Sequence, residues 1–467
     1  MRLKKILKFV VPIAILLSIG YWGYNYINRT SSLIGVLHKD ADVVVKVDLH
    51  SIKETLILDA LSAPKYYYSN ISFSSSKKDK EKDSTQNKGV DLQPYTLVLY
   101  TLKNVKNTVF ATLPIDNSLD FKSYIKTFVA DKKSVIEREK EYQYAVLEKS
   151  KVIIGWNTTH VTIAASPEKL TATKIASVFT DVLVGNKLIT DKNNALIQKL
   201  KSAQDHIVYV KGNGLVGANF VDGKLEFSGQ LEVDSTTGFA KEISVSSITD
   251  ASFQLYMDYS FTDPKHTSNF VSTFKNSSFL EKSNLKIDSI VAHSNGFFSL
   301  AINGKTMQQD TIVSYTYDDN FNKVAAKTIQ EKEVPKIYLN IGSKKKGLST
   351  YLKEQGAIEQ DIFTAFPYYN LKVSSANNTT LFSTDKSLPK TQTFKTANFF
   401  ECTADFKKLN EQLSFPKSDL IFGLLKTLDV NANLVEEGKV GLEGVLTAQR
   451  EDVNIITQLF FGLENAK

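Results

Sequence analysis

Residues 221–233 read VDGKLEFSGQLEV, and residues 436–448 read EEGKVGLEGVLTA. Each is an acidic turn closed by glycine, then lysine, then alternating apolar and polar positions. Asp-Gly before such a run signals a tight turn, and period-two alternation is the mark of a half-covered strand. The pattern occurs near the middle and again near the end of the 467 residues. That repetition points to an antiparallel sheet in each of two halves.

Two further echoes support the halves. SFQLYMDYSFTDPKHTSNFVSTF (252–274) repeats the layout of TVFATLPIDNSLDFKSYIKTF (108–128): strand, Asp-containing turn, and a helix ending in Thr-Phe. TANFFECTADFKKLNEQL (396–413) repeats the strand-then-helix layout that Val43–Leu61 opens. There Val43, Val44, Val45 and Val47 form a β-branched run, and Asp48 or Ser51 is placed to cap the following helix. Ser166 as N-cap with Pro167 behind it predicts a helix from that point, and LKIDSIVAHS (285–294) predicts a strand. Residues 69–91 are polar and charged, too poor in large apolar groups to offset the entropy of ordering, and read as a flexible excursion. The fold class expected is α+β, with mainly antiparallel sheets and packed helices. The expected divisions are 1–29, a basic head with an apolar span; 30–235, the first half with its insertion at 69–91; and 236–467, the second half.

The apolar span is Phe9–Ile27, FVVPIAILLSIGYWGYNYI, without a charge and near the length a helix needs to cross a bilayer. Two readings compete. As a signal peptide it would be cleaved after the small-x-small motif Ser18-Ile19-Gly20. As an anchor it continues through Tyr21, Trp22, Tyr24 and Tyr26, aromatics suited to the far interface, and these favour the anchor. Arg2, Lys4, Lys5 and Lys8 before the span, against Arg29 after it, place the N-terminus in the cytoplasm. The expectation is a single-pass protein of the bacterial cytoplasmic (inner) membrane with its body in the periplasm, or a secreted or periplasmic body under the cleaved reading.

The net charge of +7 belongs mostly to this head. Outside residues 1–29 the chain holds 52 basic and 50 acidic residues, so no long-range attraction to a polyanion remains and nucleic acid is not an expected partner. Only Arg2, Arg29, Arg138 and Arg450 are arginines, so the bidentate forks that read phosphate are scarce. A single cysteine, Cys402, excludes an intramolecular disulfide framework and reads as a small buried apolar group.

Motifs for chemistry fail on their own terms. Gly342 and Gly347 have the spacing of a phosphate loop, yet Leu348 stands where the loop needs lysine. Gly212, Gly214 and Gly217 spell G-x-G-x-x-G after a strand, but Asp222-Gly223 turns into another strand where a dinucleotide site needs a helix. His38, His50, His160, His206, His266 and His293 are all isolated from one another, with no metal-ligand spacing. No catalytic, cofactor-binding or metal residue is therefore assigned, and no cofactor is expected.

At LHKDADVVVKVDLHSI (37–52) the chain resembles the start of the body in uncharacterised membrane-anchored envelope proteins of Bacteroidota, with His38 where those have proline. The resemblance implies a basic head, an anchor and an α+β body of repeated strand-helix units, and it carries no catalytic residues. The function expected is a non-enzymatic membrane-anchored envelope protein, held through residues 9–27, whose body binds an envelope partner or scaffolds a complex. The alternative is a carrier of lipid or another hydrophobic ligand, which requires an apolar cavity. A hydrolase with an unrecognised site is the third reading.

Overall fold

The computed structural model describes residues 28, 30–70, 87–147, 151–233, 238–261, 267–268, 270–272, 275, 285–317, 323–344, 347–376, 378–413 and 418–464. The expected span at 9–27 lies outside them. Among the described residues no helix is long and apolar enough to cross a membrane. The chain is α+β with antiparallel sheets, and it divides into two compact units, one through Phe220 and one from Val221. That division falls ahead of the boundary expected at 235/236, because the strand opened by Asp222-Gly223 pairs with the strand at 439–448.

In the first unit β1 (Val43–Val47) leads into α1 (Leu49–Ser62) and α2 (Pro64–Asn70). The hairpin of β2 (Leu97–Leu102) and β3 (Val105–Pro114) is followed by α3 (Ser118–Asp131). A meander comes next: β4 (Ile136–Arg138), β5 (Gln143–Val146), β6 (Val152–Trp156) and β7 (His160–Ala165). Then α4 (Ala172–Leu183) and α5 (Ala195–Ser202) precede the hairpin of β8 (Ile207–Lys211) and β9 (Gly214–Val221). All pairings are antiparallel, and the strand order is β9-β8-β1-β2-β3-β7-β6-β5-β4.

Local chemistry explains these boundaries. The Asp48 carboxylate accepts from Ser51 N at 2.9 Å and caps α1. Thr171, not Ser166, caps α4, its side chain accepting from Lys174 N, so the helix starts later than Pro167 suggests. Ser166 instead accepts from Glu168 N in a local turn. The ends of the expected excursion at 69–91 are ordered: Ser69 and Asn70 close α2, Val90 is buried, and Asp116 N and Asn117 N both donate to Gly89 O.

One face of the first sheet packs under α4 and α5. Val44, Val98, Tyr100, Phe110, Ile153 and Val208 meet Ile175, Val178, Phe179, Ile197 and Leu200 there. Leu33, Val36 and Leu37 join the same core, so the chain is packed soon after residue 28. Lys46 stands in an apolar row, opposite Val98 and Val208, and is buried. Its ammonium donates to Leu200 O and Ala203 O, closing the carbonyl end of α5 where the helix dipole favours a cation. The opposite face carries α3, whose Phe121, Ile125 and Val129 cover Ala145, Ile154, Trp156 and Val161.

The second unit opens with β10 (Lys224–Glu232), β11 (Ile243–Ile248) and β12 (Phe253–Asp258). Helical residues at 267–268 and 270–272 and α6 (Ile287–His293) lead to two long strands, β13 (Ser294–Tyr317) and β14 (Lys323–Ser343). α7 (Leu348–Glu354) precedes a second meander: β15 (Ile358–Glu359), β16 (Ile362–Phe363), β17 (Leu371–Ala376) and β18 (Thr379–Ser383). β19 (Thr391–Thr396), β20 (Asn398–Asp405), α8 (Phe406–Gln412), α9 (Ser418–Phe422), β21 (Leu425–Glu436), β22 (Lys439–Ala448) and α10 (Ile455–Glu464) complete it. The main sheet runs β10-β22-β21-β20-β12-β13-β14-β18-β17-β16-β15, and β11 pairs β19 separately, all antiparallel.

Residues 287–293 are a helix where a strand was expected. Ile287, Ile290 and Val291 have the i, i+3, i+4 spacing of one helical face, and that face meets the core.

The stretch β21-β20-β12-β13-β14-β18-β17-β16-β15 repeats the order of the first sheet strand for strand, in the same chain sequence. Both units place helical residues after the first strand, a helix after the third, and a four-strand meander that returns to pair with the third strand. This topology makes β12 the counterpart of β1 and β20 the counterpart of β8. The sequence echoes had matched residues 252–274 with 108–128 and 396–413 with 43–61, because strand–polar turn–helix is a unit each half uses more than once.

Candidate functional site

The second unit contains an apolar cavity of about 500 Å³. Its floor is one face of β13 and β14. Period-two alternation puts Phe298, Leu300 and Ile302 on that face, and the register sets them opposite Ile341, Leu339 and Ile337. Leu371 of β17 and Phe382 of β18 extend the floor. Ile290 of α6, Leu348 and Leu352 of α7, Phe363, Phe366 and Leu285 form the walls. Every lining side chain is aliphatic or phenyl. Phe363 and Phe382 meet edge to face at 5.2 Å, which fixes one corner.

At the matching place in the first unit a longer helix packs against the sheet. There the helix after the third strand, α3, has 14 residues and packs Phe121 edge-on against Trp156 at 6.5 Å. Its counterpart α7 has seven residues and delivers only Leu348, Tyr351 and Leu352 to the core. The hollow is partly open, so its apolar lining can be reached from solvent.

The phosphate-loop spacing at Gly342 and Gly347 turns out to serve this cavity. Leu348, which stands where that loop needs lysine, is buried and lines the wall, and its N–H donates to Ser343 Oγ at 2.7 Å. Gly212 has φ 56° in the tight β8–β9 hairpin, and Gly217 leaves room for the Asp205 carboxylate, so the G-x-G-x-x-G run is a hairpin. Cys402 is buried, and burial raises its thiol pKa, with Asp429 adding to the shift. Among the described residues no group of His, Cys, Asp or Glu could hold a metal ion. A second hollow, about 410 Å³, lies beside the start of α3 and the β4–β5 turn. It is edged by Lys122, Arg138, Glu139, Lys140 and Glu141, charges of both signs, with Phe121, Tyr142 and Trp156 beside them.

His206 and His293 make close local contacts. His206 accepts from Phe220 N at 3.0 Å through Nδ1 and lies 3.0 Å from Thr55 Oγ1 through Nε2. His293 stacks on Tyr351 at 4.9 Å. Burial holds the pKa of His38, His160 and His206 below the ordinary value, against the pull of Asp40 and Asp181 on His38 and of Asp48 and Asp205 on His206. The unfolded chain therefore binds more protons than the folded one below about pH 6.5, and this part of the stability is lost as pH falls. Glu54 and Asp258, raised by burial, oppose the trend with one group each. The thermal midpoint should fall between about pH 7 and pH 5, with a shallower slope for His206→Gln. A midpoint that rises over that interval would contradict the assignment.

No protein-family model matches the chain, and no curated protein matches it. Among solved structures, crystal form I of TP0453 aligns with 77% of this chain and 92% of that one, at 8% identity and a TM-score of 0.20. A score that low carries no argument about fold or function.

Proposed function

We propose that the chain is a non-enzymatic binding protein of the cell envelope, anchored through residues 9–27, whose second unit holds an apolar ligand of the acyl-chain class. The cavity carries the reading. Its volume lies within the roughly 300–1,000 Å³ of small-molecule sites, and a lining of carbon alone selects for hydrocarbon. Each methylene moved there from water is worth about 0.8 kcal/mol, so a long chain binds without a single polar contact. The scaffold reading is compatible with it, since an anchored carrier must also hand its ligand to a partner. We also infer that the two units arose by duplication, which the shared order of nine strands supports, and that shortening of one helix opened the site in the second copy.

Leu300 and Leu339 face each other across β13 and β14, so Leu300→Phe with Leu339→Phe fills the cavity with an aromatic cross-strand pair. Protein purified in parallel in both forms, extracted with organic solvent and examined by mass spectrometry, should yield near-stoichiometric acyl lipid from the wild type only. Equal recovery from the two forms would sink the proposal. Sequencing of the mature N-terminus tests the anchor separately: a chain beginning at Tyr21 would leave a soluble carrier.

A further inference from the structure

β13 and β14 outrun the sheet they belong to. β12 accompanies β13 only over Phe297–Ile302, and β18 accompanies β14 only over Tyr338–Gly342. The base of the projecting part is fastened: Gln308 Nε2 donates to Asn370 O at 2.8 Å and to Thr384 O at 2.9 Å. Beyond it, from Gln309↔Glu331 to Tyr317↔Lys323, the two strands pair only with each other among the described residues. These nine rows make a ribbon about 30 Å long at roughly 3.4 Å per residue. On β14, Thr328 through Glu333 are exposed at every position.

A bare two-stranded ribbon is marginal in water, and its edges are templates for another strand. The segment Thr311–Tyr317, TIVSYTY, has neither charge nor proline, a composition that pairs readily when left uncovered. On β14, Ile337 N–H bonds outward to Thr384 Oγ1 and Ile337 O accepts from Thr384 N. By alternation the odd-numbered residues present their backbone groups on that edge, Lys327, Ile329 and Glu331 among them. Pro335 has no N–H to offer and ends the available edge beside the sheet.

We propose that this edge of β14 pairs antiparallel with the same edge of a second copy, about a two-fold axis at Ile329. The register sets Ile329, 67% exposed, against its own mate. It puts Lys327 of each copy at the register position opposite Glu331 of the other, so residues of opposite charge are matched twice, as a self-complementary two-fold contact requires. Moving the axis to Lys327 puts like charges face to face, and moving it to Thr328 sets Lys327 against Ile329 and Glu331 against Ala325.

The test uses the full-length chain in mild detergent. Directly opposed residues of an antiparallel pair have Cα atoms about 5.5 Å apart, within disulfide reach. Ile329→Cys should therefore give a covalent dimer under mild oxidation, while Val135→Cys, at a site 74% exposed on the first unit, should not; native Cys402 is buried. Lys327→Glu and Glu331→Lys should each weaken the dimer, measured by light scattering, by about thirtyfold, because two attractive pairs become repulsive. Mixing the two variants should restore it, since each then supplies the charge the other needs. A monomeric wild type, crosslinking at Val135 equal to that at Ile329, or a mixture no stronger than its components would each overturn the proposal.

Discussion

Phe382→Ala should destabilise the second unit by about 3–5 kcal/mol, the range for removing a buried phenyl group. Phe382 is 2% exposed, sits on β18 opposite Leu339 of β14 and Val373 of β17, and holds Phe363 edge to face. Its neighbours already border a hollow, so they have little to collapse onto and the loss belongs at the upper end of the range. The variant also tests the cavity itself. A ligand that binds the native state alone stabilises it by mass action, so delipidated wild type and delipidated variant should both gain stability when acyl lipid is returned. The measurement is a urea midpoint with and without lipid. A loss below about 1 kcal/mol would mean that the phenyl ring is not part of a packed wall.

Asp385→Ala should cost about 2–4 kcal/mol and act on the base of the long hairpin. The carboxylate is 9% exposed and pairs with Lys336 at 2.9 Å. It also accepts from Tyr338 OH at 3.2 Å, Thr306 Oγ1 at 3.3 Å, Ser387 Oγ at 2.8 Å and Lys386 N at 2.8 Å. Thr306, Lys336 and Tyr338 lie on β13 and β14, so one side chain ties both strands to the loop after β18. Burial alone would raise its pKa, but Lys336, Ser387 and the Lys386 N–H together hold it far below the ordinary carboxylate range. This stability is present above the unfolded pKa near 4 and is lost as pH falls further toward the folded value. The gap between wild type and Asp385→Ala should therefore be constant from about pH 5 to 8 and close in stronger acid. A gap that closes already at pH 6 would show that the carboxylate does not carry the clamp.

The α+β class and most strands were legible because alternation and turn chemistry act locally. Asp48 caps α1 and the Asp222-Gly223 turn starts β10, both as the sequence implies. The matched segments 221–233 and 436–448 become β10 and β22, which pair with each other. The other two echoes paired the wrong counterparts, since a strand followed by a capped helix carries no address within a repeat. Residues 287–293 were misread because Ile and Val favour strands in isolation, and a packing surface overruled that preference.

The cavity left no mark in the sequence. It follows from α7 being half the length of α3, which is a statement about what fails to fill a space. The free ribbon is hidden for a similar reason. Nothing in the sequence marks residues 309–317 and 323–331 as a ribbon, and only the short partners β12 and β18 leave them unaccompanied among the described residues. Leu348 was legible as the residue that spoils a phosphate loop, while its place in the cavity wall was not.

Leu33, buried in the first core, stands six residues after Ile27, the last residue of the proposed anchor. A chain extends at most about 3.6 Å per residue, so the leash reaches no more than roughly 20 Å. An anchored first unit would thus ride on the lipid surface and could not sweep the width of the envelope. Its encounters with other membrane proteins become a two-dimensional search, in which tethering raises the effective concentration of partners embedded in the same bilayer over those free in solution.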